Sequence, residues 1–445
     1  MKLIPCVLIT LCSLACVAPA SADEVSDEPK IVPITRDEVK EALDRLKYRK
    51  PRFPRREGEG ERFRNRDRNR EGGNREGAGR EGGGRDGGNR QRGGGGGLSR
   101  GDDPVMSLDY AFSVELFWIV SRVNNCHYCL GHQENKLLSA GLTEDRIAAL
   151  DGHWDEFSPA EQAAFVFTRK LTYTPHLIND ADIAALKQHY TDLQALEIVY
   201  YVARYNFMNR RTDGMGLAQQ ENRVFKTPTS DKYRSFASTV APIDTSLPAG
   251  TLAPALIAPR PELESRAEVL ARLAECRTRQ PRFALVDDAK ARELLADFPA
   301  GAIPNYARLL ANFPRTGVSS AESQRRSDEQ GEVSPLLRAQ IAWVSARNDR
   351  AWYALGRAMA QLKALGQTED QIFALDEPEG KFTTGEQAAF RLTKKFSVAP
   401  QRITDADVEA VRKEFGDVVG AEIVSRNTQA AFLNRISEAA ALPLD

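Results

Sequence analysis

Apolar residues fall along this chain in runs long enough for buried helices, and the polar residues between them are ones that start and stop helices. Residues 110–123 (YAFSVELFWIVSRV) are strongly apolar and hold no Gly or Pro, which predicts one uninterrupted helix. Gly141 predicts the end of the helix that follows, because glycine is favoured just past a helix C-terminus. Thr143, with Glu144 and Asp145, supplies a cap and first-turn acids for the next helix. Ser158-Pro159-Ala160-Glu161 reads as a capping box with proline at the first helical position. Asn179 caps a further short helix, and residues 193–210 form an amphipathic closing helix. No stretch alternates convincingly as a half-buried strand would. The pattern predicts an all-α bundle of five or six helices.

The same pattern returns at a constant offset of 225 residues. "GLTEDRIAALD" (141–151) matches "GQTEDQIFALD" (366–376), "EQAAF" recurs at 161 and 386, and "NDADI" (179–183) faces "TDADV" (404–408). Glu197-Ile198-Val199 faces Glu422-Ile423-Val424, and "FMNR" (207–210) faces "FLNR" (432–435). An offset held without insertion over about a hundred residues marks a duplicated unit. Thr383 with Glu386, Thr404 and Gly366 repeat the capping logic of the first unit, and Trp343 stands where Trp118 does. Trp118, Phe117, Trp343, Tyr200, Tyr201 and Tyr205 are read as packing residues.

Composition changes the picture outside the repeats. Residues 51–100 hold 14 Arg against 8 acids and 16 of the chain's 32 Gly, a bias that cannot bury enough apolar area to order itself. A solvated spacer is expected there. Met1-Lys2, an apolar run to Val17 and then Ala20-Ser21-Ala22 have the layout of a secretory signal peptide cleaved after Ala22. Lipidation at Cys16 is the competing reading, but "SLAC" has Ser13 where a lipobox usually has Leu. The expected organisation is a signal peptide (1–22), a helical lead-in (23–53, with its helix at 35–48), a disordered Arg/Gly-rich segment (54–102), a first helical domain (103–224), a linker (225–262) and a second domain (263–445). "DDAKARELLADF" (287–298) reads as the second domain's own lead-in. With no later run apolar enough to span a bilayer, the mature chain is expected to be exported, periplasmic or extracellular. A net charge of −1 gives no reason to expect a nucleic-acid partner.

Three of the six cysteines lie in the signal segment, leaving Cys126, Cys129 and Cys276, too few for a disulfide scaffold. Cys276 is expected to be half-buried on a helix. Asn124-Asn125 reads as a turn and cap that puts Cys126 in the first turn of a helix, where the backbone dipole favours a thiolate. Cys129 follows one turn on, and His132 a further three residues along the same face, where an imidazole can exchange a proton with the thiol. His127, inside the pair, is either a thiolate stabiliser or simply solvent-facing. In the second unit "NNCHYCLGH" (124–132) becomes "DRAWYALGR" (349–357), so Ala351, Ala354 and Arg357 replace Cys126, Cys129 and His132. Arg357 is expected to pair with a surface carboxylate. A zinc site at the cysteines lacks an evident fourth ligand, so no metal and no cofactor are expected.

"VELFWIVSRVNNCHYCLGH" resembles the signature of the carboxymuconolactone decarboxylase-like proteins, and among them the alkylhydroperoxidase D type. That family is all-helical, with a Glu on one helix and Cys-x-x-Cys and His on the next. The resemblance covers about residues 105–220, with a degenerate copy at about 285–445. It implies a peroxidase, a peroxiredoxin-type oxidoreductase, in which Cys129 attacks the peroxide and Cys126 resolves the sulfenic acid as a disulfide. His132 would be the relay base and Glu115 the acid. The family's intervals are twelve residues from Glu to the first Cys and four from the second Cys to His, against eleven and three here. The shift puts Val114 at the family's Glu position. The implied partners are a hydroperoxide substrate and an unknown thiol reductant. Oligomerisation is common in the family, so a homo-oligomer is expected. The same cysteine pair could instead reduce protein or small-molecule disulfides. Two other readings stand beside these: a non-enzymatic module binding through the Arg/Gly-rich segment, and a lactone decarboxylase, which would have no use for a cysteine pair.

Overall fold

The computed structural model describes residues 51–53, 103–217, 262–400 and 403–445. The signal segment, the 35–48 lead-in, nearly all of the Arg/Gly-rich segment and most of the linker lie outside the described residues. Among those described, the fold is all-α, with fifteen α-helices and no strand. The first repeat comprises α1 (Tyr110–Val123), α2 (His127–Ser139), α3 (Glu144–Ala149), α4 (Pro159–Tyr173), α5 (Asp180–Lys187) and α6 (Asp192–Met215). Next come α7 (Arg266–Thr278), α8 (Asp288–Leu294), α9 (Asn305–Leu310) and α10 (Thr316–Glu329). The second repeat comprises α11 (Pro335–Asp349), α12 (Trp352–Ala364), α13 (Glu369–Phe373), α14 (Thr384–Val398) and α15 (Asp405–Ala439). A shift of 225 residues carries α2 onto α12 and α4 onto α14 with no change of bounds. Helix α15 covers the counterparts of both α5 and α6 and breaks at Gly416, the position matching Thr191, which caps α6.

Capping chemistry explains these boundaries. Ser158 and Glu161 form the reciprocal capping box of α4 with Pro159 at its first position, and Thr383 with Glu386 does the same for α14. Asn179 with Asp182 and Thr404 with Asp407 cap α5 and α15. Gly141 and Gly366 follow α2 and α12 at positive φ, 91° and 81°, where a side chain would be strained. The closing helix runs further than residues 193–210, reaching Met215, and ends where Gly216 turns left-handed at φ 62°. The lead-in resemblance at 287–298 yields only the short α8, capped by Asp287.

The core joins the repeats. Helix α6 packs against α15 more extensively than any other pair of helices, and α1 and α11 flank them. Trp118 and Trp343 are fully buried. At Gly214 on α6 a Cβ would lie 2.6 Å from the Phe396 ring and 2.7 Å from Val424, so only glycine permits this approach. The contact is reciprocal. Arg210 on α6 donates through Nε to the Phe396 carbonyl of α14 at 2.8 Å, and Arg435 on α15 donates through Nη2 to the Thr172 carbonyl of α4 at 3.1 Å. Cys276, on α7, is 2 % exposed with Sγ 3.5 Å from the Leu442 carbonyl. It is thus buried rather than half-buried, because the segment after α15 covers it.

Candidate active site

The junction between α1 and α2 sets the geometry of the cysteine pair. Residues Ser121 to Cys126 form a Schellman motif: the Cys126 N–H donates to the Ser121 carbonyl at 2.8 Å, and the Asn125 N–H to the Arg122 carbonyl at 3.2 Å. This requires Asn125 in the left-handed region (φ 53°), which asparagine tolerates better than most residues. Cys126 both completes the end of α1 and serves as the N-cap of α2, where its carbonyl accepts from Leu130 N–H at 2.9 Å. The Asn124-Asn125 pattern predicts Cys126 inside the first turn. The turn consumes one residue more, so the helix starts at His127 and Cys129 is its third residue.

Asn124 is buried at this junction and holds it to α6. Its Nδ2 donates to Asn206 Oδ1 at 3.1 Å and to Asn209 Oδ1 at 3.0 Å, while Arg210 Nη1 donates to Asn124 Oδ1 at 3.3 Å. A fully satisfied buried network of this kind fixes position more than it adds stability.

The two cysteines are joined as a disulfide, with Cα atoms 5.3 Å apart. Both are buried, Cys126 at 0 % and Cys129 at 3 % exposure. His132 is half-buried one turn beyond Cys129 on α2. Its ring stacks on Tyr128 at 4.2 Å and its Nδ1 lies 2.9 Å from the Tyr128 carbonyl. A carbonyl only accepts, so Nδ1 is the nitrogen that carries a proton in this contact.

Glu115, on α1, is 2 % exposed and receives Arg146 Nε at 3.0 Å; the same guanidinium reaches Glu161 at 2.6 Å. Burial pushes its carboxyl up to about 7, against the opposing pull of Arg146. Its bonded partner is therefore an arginine at the start of α3, a residue the sequence reading did not single out. Also unforeseen is Glu134 on α2, 2 % exposed, which accepts from the Trp118 indole at 3.2 Å. A carboxylate at an otherwise core-facing position was the available signal. Cys276 is the other thiol among the described residues, and burial pushes it up to about 12. No three His, Cys, Asp or Glu side chains among the described residues group as a metal site would require.

The second repeat separates what the fold needs from what this site adds. Arg122 pairs with Asp151 at 2.8 Å and Arg347 with Asp376 at 3.1 Å, 225 residues on. Lys170–Asp182 and Lys395–Asp407 recur in the same way, both at 2.6 Å. Glu197 accepts from the Ser107 and Leu108 amides before α1, and Glu422 from the Glu332 and Val333 amides before α11. The cysteines, His132, Glu115, Arg146 and Glu134 do not recur: Ala351, Ala354, Arg357, Gln340, Gln371 and Met359 replace them. Arg357 pairs with Asp445 at 2.8 Å and Asp328 at 3.4 Å, as expected of it.

No helix among the described residues is long and apolar enough to cross a membrane. No family model matches the chain. The chain is 30 % identical over 101 residues to the uncharacterized protein YdfG of Bacillus subtilis (strain 168), a match that covers 22 % of this chain and 68 % of that protein. Over those 101 residues the chain belongs with YdfG in one family, and the name of that relative states no activity.

Proposed function

We propose that the first repeat is a dithiol–disulfide centre that reduces hydroperoxides, after the manner of alkylhydroperoxidase D-type proteins, in an exported chain. The reading is carried by the Cys126–Cys129 disulfide at the start of α2, in the one repeat that keeps an imidazole a turn beyond it. In the reduced form the Cys129 thiolate attacks a peroxide oxygen, forming S–O as O–O breaks. The departing alkoxide takes a proton through His132 and leaves as alcohol, and Cys129 becomes a sulfenic acid. The Cys126 thiolate then attacks that sulfur, forming S–S as S–O breaks, and the departing hydroxide takes up a proton and leaves as water. An external thiol reductant returns two electrons by exchange at the disulfide. The N-terminus of α2 favours the thiolate at Cys129, and His132 supplies the relay's imidazole a turn further on. Glu115, with its carboxyl near neutrality, is the candidate acid behind it.

Hydroperoxide consumption with dithiothreitol as reductant tests the reading. Cys129→Ser is expected to abolish turnover. Cys126→Ser should give one turnover and leave a sulfenic acid that dimedone traps. His132→Gln should slow the reaction about a hundredfold. Unchanged turnover in Cys129→Ser would remove the basis for the reading.

A further inference from the structure

Where the first repeat has its cysteine site, the second has a cavity of about 50 Å³ lined by residues of α10, α11, α12 and α15. At about 10–15 Å³ for each water, it has room for about four waters or one small ligand. Paired positions show how it arises. In the first repeat Phe117 and Tyr205 stack at 4.0 Å, while their counterparts in the second, Ala342 and Ala430, both line the cavity. Ala354, the counterpart of Cys129, lines it too. Three larger side chains have become methyl groups.

The polar changes have one sign. Ser113, His132 and Tyr201 correspond to Arg338, Arg357 and Arg426, and all three arginines line the cavity. Arg357 is neutralised by Asp328 and Asp445, and Arg426 by Glu422. Arg338 is half-buried, and its Nε and Nη1 are buried without a hydrogen-bond partner. Burial lowers the Arg426 guanidinium, and the nearby charge of Arg338 lowers it further. Two buried guanidinium nitrogens without an acceptor are costly, so an anion reaching them would be stabilising. Gln324, 4 % exposed, donates Nε2 to Asp328 at 2.9 Å and leaves its buried Oε1 without a partner. An acceptor of that kind requires a donor from whatever occupies the cavity.

We infer that this pocket binds a small oxyanion bearing a hydroxyl, of the class of hydrogenphosphate or a short hydroxy acid. Arg338 is its counter-charge and Gln324 Oε1 accepts from its hydroxyl. The second repeat is then a binding unit made from a redox one, and the inference stands whether or not the first repeat reduces peroxides.

Thermal unfolding of the full chain in phosphate or glycolate, against chloride at matched ionic strength, tests it. Saturating oxyanion should raise Tm by about 2 °C. The rise should vanish in Arg338→Ser and in Ala342→Phe, each of which installs the first repeat's residue. Calorimetric titration of the unmodified chain with phosphate gives a reading that does not depend on either variant folding. Absence of binding in that titration, or a Tm rise that survives in both variants, overturns the inference.

Discussion

Glu115 shows what burial does to one carboxyl. Its pKa of about 7 in the folded chain lies above the 4.5 of an unperturbed glutamate, so between these values the folded chain holds the extra proton. Stability from this group is therefore full below about pH 4.5 and is lost as pH rises through 7, by about 3 kcal/mol in all. Gln340, a neutral amide, stands at the matching position of the second repeat, and Gln371 replaces Arg146 there. Glu115→Gln should flatten the pH dependence of Tm between pH 5 and 8. An unaltered slope would place the proton elsewhere. The thiols make a second case: in protein lacking residues 1–22, a thiol reagent should find two reactive thiols after reduction and none before it. Cys276 should react only on unfolding, because burial pushes its thiol up to about 12 and it lies near the C-terminal end of α7, where no helix N-terminus favours a thiolate.

At the scale of elements, the turn between α1 and α2 decides where the sulfurs sit. Both repeats build it from the same bonds, with Asn125 and Arg350 at φ 53° and 52°. In the second repeat Arg350 is held there by Glu264, whereas in the first the asparagine itself suits the conformation. Asn125→Val should cost about 1–2 kcal/mol in urea unfolding, since a β-branched side chain is strained at positive φ. Asn125→Gly should leave stability unchanged or slightly raised. Helix starts were legible in the sequence because capping is local: Thr143, Ser158, Asn179, Thr383 and Thr404 each bond amides two or three residues away. The start of α2 was not, because Cys126 caps it without a side-chain bond and the turn before it is fixed by backbone carbonyls of α1.

For the molecule as a whole, the repeats share one core. Arg435 and Asp349 are both fully buried and pair at 3.3 Å, while the same arginine bonds Thr172 of the other repeat. Arg435→Met should cost about 3 kcal/mol, because Asp349 loses its guanidinium inside the core. With α6 and α15 packed together and the arginines crossing between repeats, residues 103–445 should unfold in a single calorimetric transition rather than two.

The chain's local chemistry determined its class and its periodicity. Apolar runs, caps and the 225-residue offset are all relations between neighbours or copies, so they can be read without coordinates. The same holds for the cysteine pair, whose spacing alone brings two sulfurs to one helix start. Tertiary packing decided the rest. Glu115 meets Arg146 from thirty-one residues along the chain, and Asn124 is held by α6 from more than eighty residues away. The pocket of the second repeat depends on which of its arginines find carboxylates in three dimensions. Burial and pairing at long range depend on how helices cross, and no local pattern encodes that crossing.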